Sequence, residues 1–270
     1  MPGSNLRAME KARTLDCDVV ALDLEDAVAP DAKNRARDAV CELVAAHAFG
    51  GREVAVRINT LSSPWGAADL AAVAQAKPDA IILPKVDGPA EIAAARRGPD
   101  APLGMDIWAM IETPRAVLNA AAIAQSGAAC LILGSNDLSK EMRANTMPGR
   151  ENLWTAMSQI VLSARAHGLA AIDGTFNNLT DAAGLAAACA QGRDFGFDGK
   201  TLIHPGQIGA ANRAFAPSPE EIAAARRIIA AFAQAPDKSV LAVHGRMVEE
   251  LHAGEAARLL ALADAIAGRC

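Results

Sequence analysis

The chain has 270 residues, is 51% apolar and carries a net charge of −5. That acidic balance argues against a nucleic-acid or acidic-membrane partner, and 3% aromatics without a Tyr leave no base-stacking platform. No apolar stretch is long enough to span a bilayer, and Met1–Asn5 has neither the basic end nor the apolar centre of a signal peptide, so a cytoplasmic protein is expected.

Cys17, Cys41, Cys130, Cys189 and Cys270 show neither paired nor zinc-like spacing and are expected to be reduced thiols. In chain order, a helical pattern at Asn5–Thr14 precedes an apolar run at Val19–Asp26. Helical patterns at Lys33–Ala48, Trp65–Ala74, Gly88–Arg97 and Pro114–Ser126 then alternate with runs at Glu53–Asn59, Ala80–Val86 and Met105–Thr113. The run Cys130–Asp137 follows, then a helix at Trp154–Ala166, the run Leu169–Phe176 and a helix at Asp181–Gln191. The run Lys200–His204 and a helix at Pro205–Ala214 complete the alternation.

Each run places its polar residues at its C-terminal end. That is the pattern of a (β/α)8 TIM barrel, whose chemistry sits on that rim. The barrel is expected to occupy residues 1–216. Its eighth strand has room only before Pro2, so the first strand is expected to be missing, or truncated to a stub that closes the barrel. Residues 217–270 are expected to form a helical extension or lid. In it, Ser218-Pro219-Glu220-Glu221 is a capping box opening a helix to about Gln234. After a break at Pro236 come a short apolar run (Ser239–Val243), a turn at His244-Gly245 and a last helix from about Gly254 to Ala267.

Side chains alternate along a strand, so Asp23 and Glu25 share one face and Leu22 and Leu24 the other. Asp26 is read either as a helix cap or as a third acid of the mouth. Glu112 and Asp137 end successive runs. Two carboxylates with positions left for water and a substrate oxygen suit Mg²⁺; the competing reading is that each caps the next helix. Arg57 is a natural partner for a substrate carboxylate, or for Asp23 or Glu25. Gly134, Ser135 and Asn136 offer exposed backbone N–H groups to an anionic oxygen. Lys85 is expected to pair with an acid or touch a phosphate, with the acid cluster keeping its pKa high. His204 reads as a satisfied rim or core histidine. Arg7, Lys11 and Lys33 are read as phosphate holders or a solvated helix face.

Several ordered motifs resemble the HpcH/HpaI aldolase and citrate lyase beta subunit family, especially its CoA-ester lyases. They include Leu22–Val28, Arg57-Ile58-Asn59 with Pro64-Trp65-Gly66, and Pro84-Lys85. Further along they are Ile111-Glu112-Thr113, Gly134 with Asp137-Leu138, and Gly196–Lys200 through His204-Pro205. The resemblance implies Mg²⁺ on Glu112 and Asp137, metal-bound waters held by Glu25 and Asp26, Arg57 on the substrate's acyl oxygens, and CoA on basic rim residues. It also implies a homotrimer or hexamer whose lid covers a neighbour's site and carries an acid/base Asp two residues after a Met. Here Met247-Val248-Glu249 puts Glu249 in that place. The expected activity is cleavage of a 3-hydroxyacyl-CoA such as malyl-CoA by a retro-Claisen step. Three alternatives stand beside it: a malyl-CoA thioesterase, a citrate lyase beta subunit acting on an acyl-carrier thioester, and a CoA-ester binding protein with a decayed site.

Overall fold

All seven expected strands are present in a computed structural model that describes residues 1–98, 104–145, 147–235 and 237–268. They are β1 (Val19–Asp23), β2 (Glu53–Arg57), β3 (Ala80–Leu83), β4 (Asp106–Ile111), β5 (Cys130–Leu133), β6 (Ala170–Asp173) and β7 (Gly199–Lys200). Each pairs in parallel with its sequence neighbour, giving one curled sheet in chain order. The connecting helices are α1 (Leu6–Ala12), α2 (Lys33–Ala45), α3 (Gly66–Ala76), α4 (Pro89–Arg97), α5 (Pro114–Leu118), α6 (Ala120–Gln125), α7 (Ser135–Glu141), α8 (Trp154–Ala166), α9 (Ala182–Phe195) and α10 (Ile208–Phe215). This is the TIM-like α/β architecture expected from the alternation.

Ahead of α1 the chain runs briefly alongside β1. Pro2 makes a single parallel bridge to Asp23, with the Gly3 N–H donating to the Asp23 carbonyl and the Asp23 N–H to the Met1 carbonyl, both at 2.8 Å.

Strand parity decides what faces where. Ala55, Ala80, Ile82, Cys130 and Ile132 form one buried cluster, joined by Val19, Ala21, Trp108, Met110 and Ile172. One step of two residues further along the same face come Asp23, Arg57, Glu112 and Gly134. The opposite face buries Leu22, Val56, Ile81, Ile107, Ile111 and Leu131. Each fully buried aliphatic side chain stabilises the fold by roughly 1.5–3 kcal/mol. Burial pushes the Cys130 thiol's pKa up, so it stays protonated in this cluster.

Two elements depart from expectation. The single helix expected over Pro114–Ser126 breaks at Asn119, whose Nδ2 donates to the Asp87 carbonyl at 2.8 Å. The run expected to continue to Asp137 ends at Leu133. Gly134 caps α7, and Asp137 is the third residue of that helix. Short polar residues favour cap positions over strand, and an acid suits the positive end of the helix dipole.

The chain divides into two compact units, Met1–Asn212 and Arg213–Cys270. In the second, α11 (Pro219–Gln234) opens on the expected capping box. Ser218 Oγ accepts from Glu221 N at 3.2 Å, and Glu221 Oε2 accepts from Ser218 N at 2.7 Å. Strands β8 (Val240–Val243) and β9 (Arg246–Glu249) form an antiparallel hairpin. His244 and Gly245, at φ 47° and 77°, supply the two left-handed positions of its turn. The last helix, α12 (Glu250–Ala267), starts four residues before the expected Gly254. Pro236 and Cys270 lie outside the described residues. Among the described residues no helix is long and apolar enough to cross a membrane.

Candidate active site

The rim of the sheet gathers acids around two cations. Arg57 is gripped by Asp23: its Nε reaches Oδ1 at 2.7 Å and its Nη2 reaches Oδ2 at 2.6 Å. Burial works to raise the Asp23 pKa, and the Arg57 guanidinium with the Glu25 and Ala27 N–H groups overcomes it, holding the carboxyl below its ordinary range. The same acids push the Arg57 pKa up against burial, so its charge is permanent.

Glu25 is buried beyond the end of β1. Its Oε1 accepts from Lys85 Nζ at 2.8 Å. Its Oε2 is buried 3.1 Å from Arg57 Nη1, yet out of alignment, and accepts no hydrogen bond. Asp26 is exposed and 3.8 Å from Lys85 Nζ. Burial lowers the Lys85 pKa, but Glu25, Asp26 and Glu112 raise it more, as expected from an acid cluster and against a Schiff-base role.

Glu112 follows β4 and is 1% exposed. Thr113 and Pro114 hold it there: Thr113 Oγ1 caps α5 by accepting from Ala116 N at 3.0 Å, and Pro114 takes the first helical turn. Its Oε1 accepts from the Lys85 backbone N–H at 2.7 Å. Burial pushes its pKa up to about 7; the charges of Glu25 and Asp137 push the same way, opposed by that hydrogen bond and by Arg57. A Cβ at Gly134 would run into the Glu112 side chain, so only glycine lets β5 pass this close.

Asp137 is half-buried on α7. Ser135 is buried, while Asn136 is exposed and shares hydrogen bonds with Asn177 and Thr175. No three His, Cys, Asp or Glu side chains stand together as a ready metal cage among the described residues. Glu112 and Asp137 are hard oxygen donors in a mouth whose carboxylates outnumber its cations. A hard divalent ion that keeps several of its own waters fits such a donor set.

The remaining expected residues stand on other elements. Arg7 and Lys11 are exposed on α1. Lys33 is buried, and its three ammonium protons go to Leu24 O, Glu25 O and Asn59 Oδ1. That geometry leaves it no donor for a phosphate. His204 caps a short 3-10 turn, its Nδ1 accepting from Gly206 N at 3.0 Å, which satisfies it as expected. Glu249 ends β9 in the second unit and caps α12; its backbone N–H donates to His252 Nδ1 at 2.9 Å.

Sequence reasoning missed a second ionic cluster. Asp173 Oδ1 accepts from Arg150 Nη1 and Oδ2 from Lys200 Nζ, both at 2.7 Å. Lys200 Nζ also donates to the Gly174 carbonyl at 2.6 Å. Asp173 shares the outward parity of Ala171, so the cluster lies behind the sheet against α9, where Gly192 makes room for it. Strand parity alone, with Ile172 facing the buried cluster, puts Asp173 on the other face.

A model of the HpcH/HpaI aldolase/citrate lyase family matches residues 1–205. The chain is 47% identical to a (3S)-malyl-CoA thioesterase of Cereibacter sphaeroides (strain KD131 / KCTC 12085), covering 99% of this chain and 94% of that protein. It is 34% identical to the citrate lyase subunit beta of Leuconostoc mesenteroides subsp. cremoris, covering 98% and 92%. Its fold superposes with a TM-score of 0.83, at 29% identity and covering 98% and 96%, on the CitE protein of Mycobacterium tuberculosis in complex with magnesium, acetoacetate and coenzyme A. With three quarters of its length matched by one family model and relatives aligned almost end to end, the chain belongs to the HpcH/HpaI aldolase/citrate lyase family.

Proposed function

We propose that this chain is a magnesium-dependent enzyme acting on a malyl-CoA-like thioester, and that its reaction is hydrolysis to the free hydroxy acid and CoA. The observation that favours hydrolysis over the carbon–carbon cleavage first expected is the 47% identity, across nearly the whole chain, to a protein named a (3S)-malyl-CoA thioesterase.

Glu112 and Asp137 would hold the ion, and Glu25 and Asp26 the waters around it. When bound, Mg²⁺ supplies Lewis-acid polarisation of a substrate oxygen. Arg57, clamped along one edge by Asp23 and donating from Nη1 to Met110 Sδ at 3.7 Å, keeps a second N–H on each terminal nitrogen to pair with the acyl oxygen, an electrostatic role worth roughly 3 kcal/mol for comparable donors. The Gly134 N–H, expected to be open to an anion, instead donates to the Ile111 carbonyl at 3.0 Å, so Ser135 and Asn136 are proposed to line the substrate's anionic end. Arg7 and Lys11 are the proposed partners of the CoA phosphates, since Lys33 is already engaged.

The second reading is carbon–carbon cleavage, favoured by the likeness to a citrate lyase beta subunit. In it Arg57 stabilises a thioester enolate, and Glu249, from a lid exchanged within a homotrimer or hexamer, protonates the enolate carbon. Hydrolysis forms no such carbanion. Malyl-CoA is incubated with the protein, with and without Mg²⁺, and the products are read by mass spectrometry. Free malate and CoA support hydrolysis. Glyoxylate with acetyl-CoA assigns cleavage, and undiminished turnover in chelator removes the metal.

A further inference from the structure

Lys33 has no chemistry in the reading above, yet it is one of the most tightly held charges in the first unit. It is 6% exposed at the start of α2, and its hydrogen-bond acceptors are all neutral oxygens. Its Nζ donates to the Leu24 carbonyl at 2.8 Å, the Glu25 carbonyl at 2.7 Å and Asn59 Oδ1 at 2.7 Å, with the Trp65 ring 5.3 Å away. A buried ammonium on neutral acceptors alone is costly, and apolar residues would fill the space more cheaply. What those bonds accomplish is local. The Leu24 and Glu25 carbonyls belong to the two peptide planes that meet at the Glu25 Cα, so fixing both fixes where the Glu25 side chain leaves the backbone.

The acceptor side is braced as well. Asn59 Nδ2 donates to the Leu24 carbonyl at 2.9 Å and to Asp69 Oδ2 at 2.6 Å. The Asn59 backbone N–H also donates to Asp69 Oδ2, at 3.0 Å, and Arg37 Nη1 holds Asp69 Oδ1 at 3.1 Å. A chain of contacts thus runs from α3 through Asn59 and Lys33 to the loop that presents Glu25 between Arg57 and Lys85.

We propose that Lys33 is a positioning residue for Glu25, setting that carboxylate where it strengthens magnesium binding by Glu112 and Asp137; this rests on the metal reading above. The sign of the effect separates positioning from plain electrostatics. Removing a cation beside an acid cluster would, by charge alone, tighten Mg²⁺ binding. Loosening the Glu25 loop weakens it.

Magnesium alone is titrated calorimetrically into the full-length wild type, Lys33→Met, Asn59→Ala and Glu112→Ala, with thermal unfolding run in parallel. Lys33→Met is expected to weaken Mg²⁺ binding roughly 10- to 100-fold, the range seen when partners behind metal ligands are removed. Asn59→Ala is expected to weaken it in the same direction by less. Affinity in Lys33→Met equal to or tighter than wild type overturns the proposal. Should Lys33→Met not fold, unchanged affinity in Asn59→Ala overturns it. Glu112→Ala distinguishes the two levels. If it loses binding while the other variants keep theirs, only the positioning role falls. If it binds like wild type, the metal reading falls and the proposal with it.

Discussion

Two clusters of charge are buried at strand ends of the same sheet, one in the mouth and one behind it. Behind the sheet, the Asp173 and Lys200 side chains are 0% exposed, and Asp173 is bonded by Arg150, Lys200 and the Gly174 N–H. In the mouth, Glu112 lies almost as deep but accepts one backbone hydrogen bond, Glu25 Oε2 accepts none, and Lys85 is 39% exposed. The first cluster answers each polar atom and shuts out solvent, so it holds structure. The second leaves Glu25 Oε2 without a hydrogen bond, beside a lysine that is partly open to solvent, and that is where the proposed cation would sit. Burial alone does not mark a site; unmet polar demand does.

The largest expected effect sharpens this contrast at Glu112. Glu112→Ala should abolish Mg²⁺ binding and lower turnover about 10³-fold or more, roughly 4 kcal/mol, measured by calorimetry and steady-state kinetics. Behind the sheet the reverse split is expected. Asp173→Ala strands two buried cations and should cost about 3–5 kcal/mol of stability in urea unfolding. The mouth acids are untouched, so the Mg²⁺ affinity of the folded fraction should stay the same. A loss of affinity without loss of stability would break the comparison.

The pH dependence follows from the Glu112 carboxyl, raised from its ordinary 4.5 to about 7. Above pH 4.5 the unfolded chain gives up that proton while the metal-free fold keeps it. Stability is therefore lost as pH rises from about 4.5 to about 7, by on the order of 3 kcal/mol. Glu112→Gln should remove that loss, and saturating Mg²⁺ should remove it from the wild type. Denaturant melts of both proteins across that window check the sign. Arg57→Lys gives up the paired grip on Asp23 and should lower turnover about 10²-fold, with little change in Mg²⁺ affinity. The smallest effect is Thr113→Ala, which removes a helix cap under Glu112 and should cost about 1 kcal/mol in thermal unfolding.

Much of this was legible in the chain. The runs Ala80–Val86 and Cys130–Asp137 open on four apolar residues each, and those four, Ala80–Leu83 and Cys130–Leu133, are buried at every position, as strands covered on both faces must be. Strand alternation put Asp23 and Glu25 on the side where Arg57 meets them. Helix α7 was not legible, because Gly134-Ser135-Asn136-Asp137 reads equally as a strand tail or a cap; the Leu138 N–H donating to the Gly134 carbonyl at 3.0 Å closes the first helical turn. Lys33 read as a solvated or phosphate-holding residue because nothing local reveals that two carbonyls and Asn59, 26 residues on, converge on it. The Asp173–Arg150–Lys200 cluster joins three distant segments, and no spacing rule covers that.

The account turns on Glu112 and Asp137 sharing one ion. The most direct measurement is a crystal structure of the protein soaked with Mn²⁺ in place of Mg²⁺, read by its anomalous scattering. We predict one strong peak in the mouth, with carboxylate oxygens of both residues in its coordination sphere at about 2.1 Å. A peak held by neither residue, or no peak at saturating metal, contradicts the account.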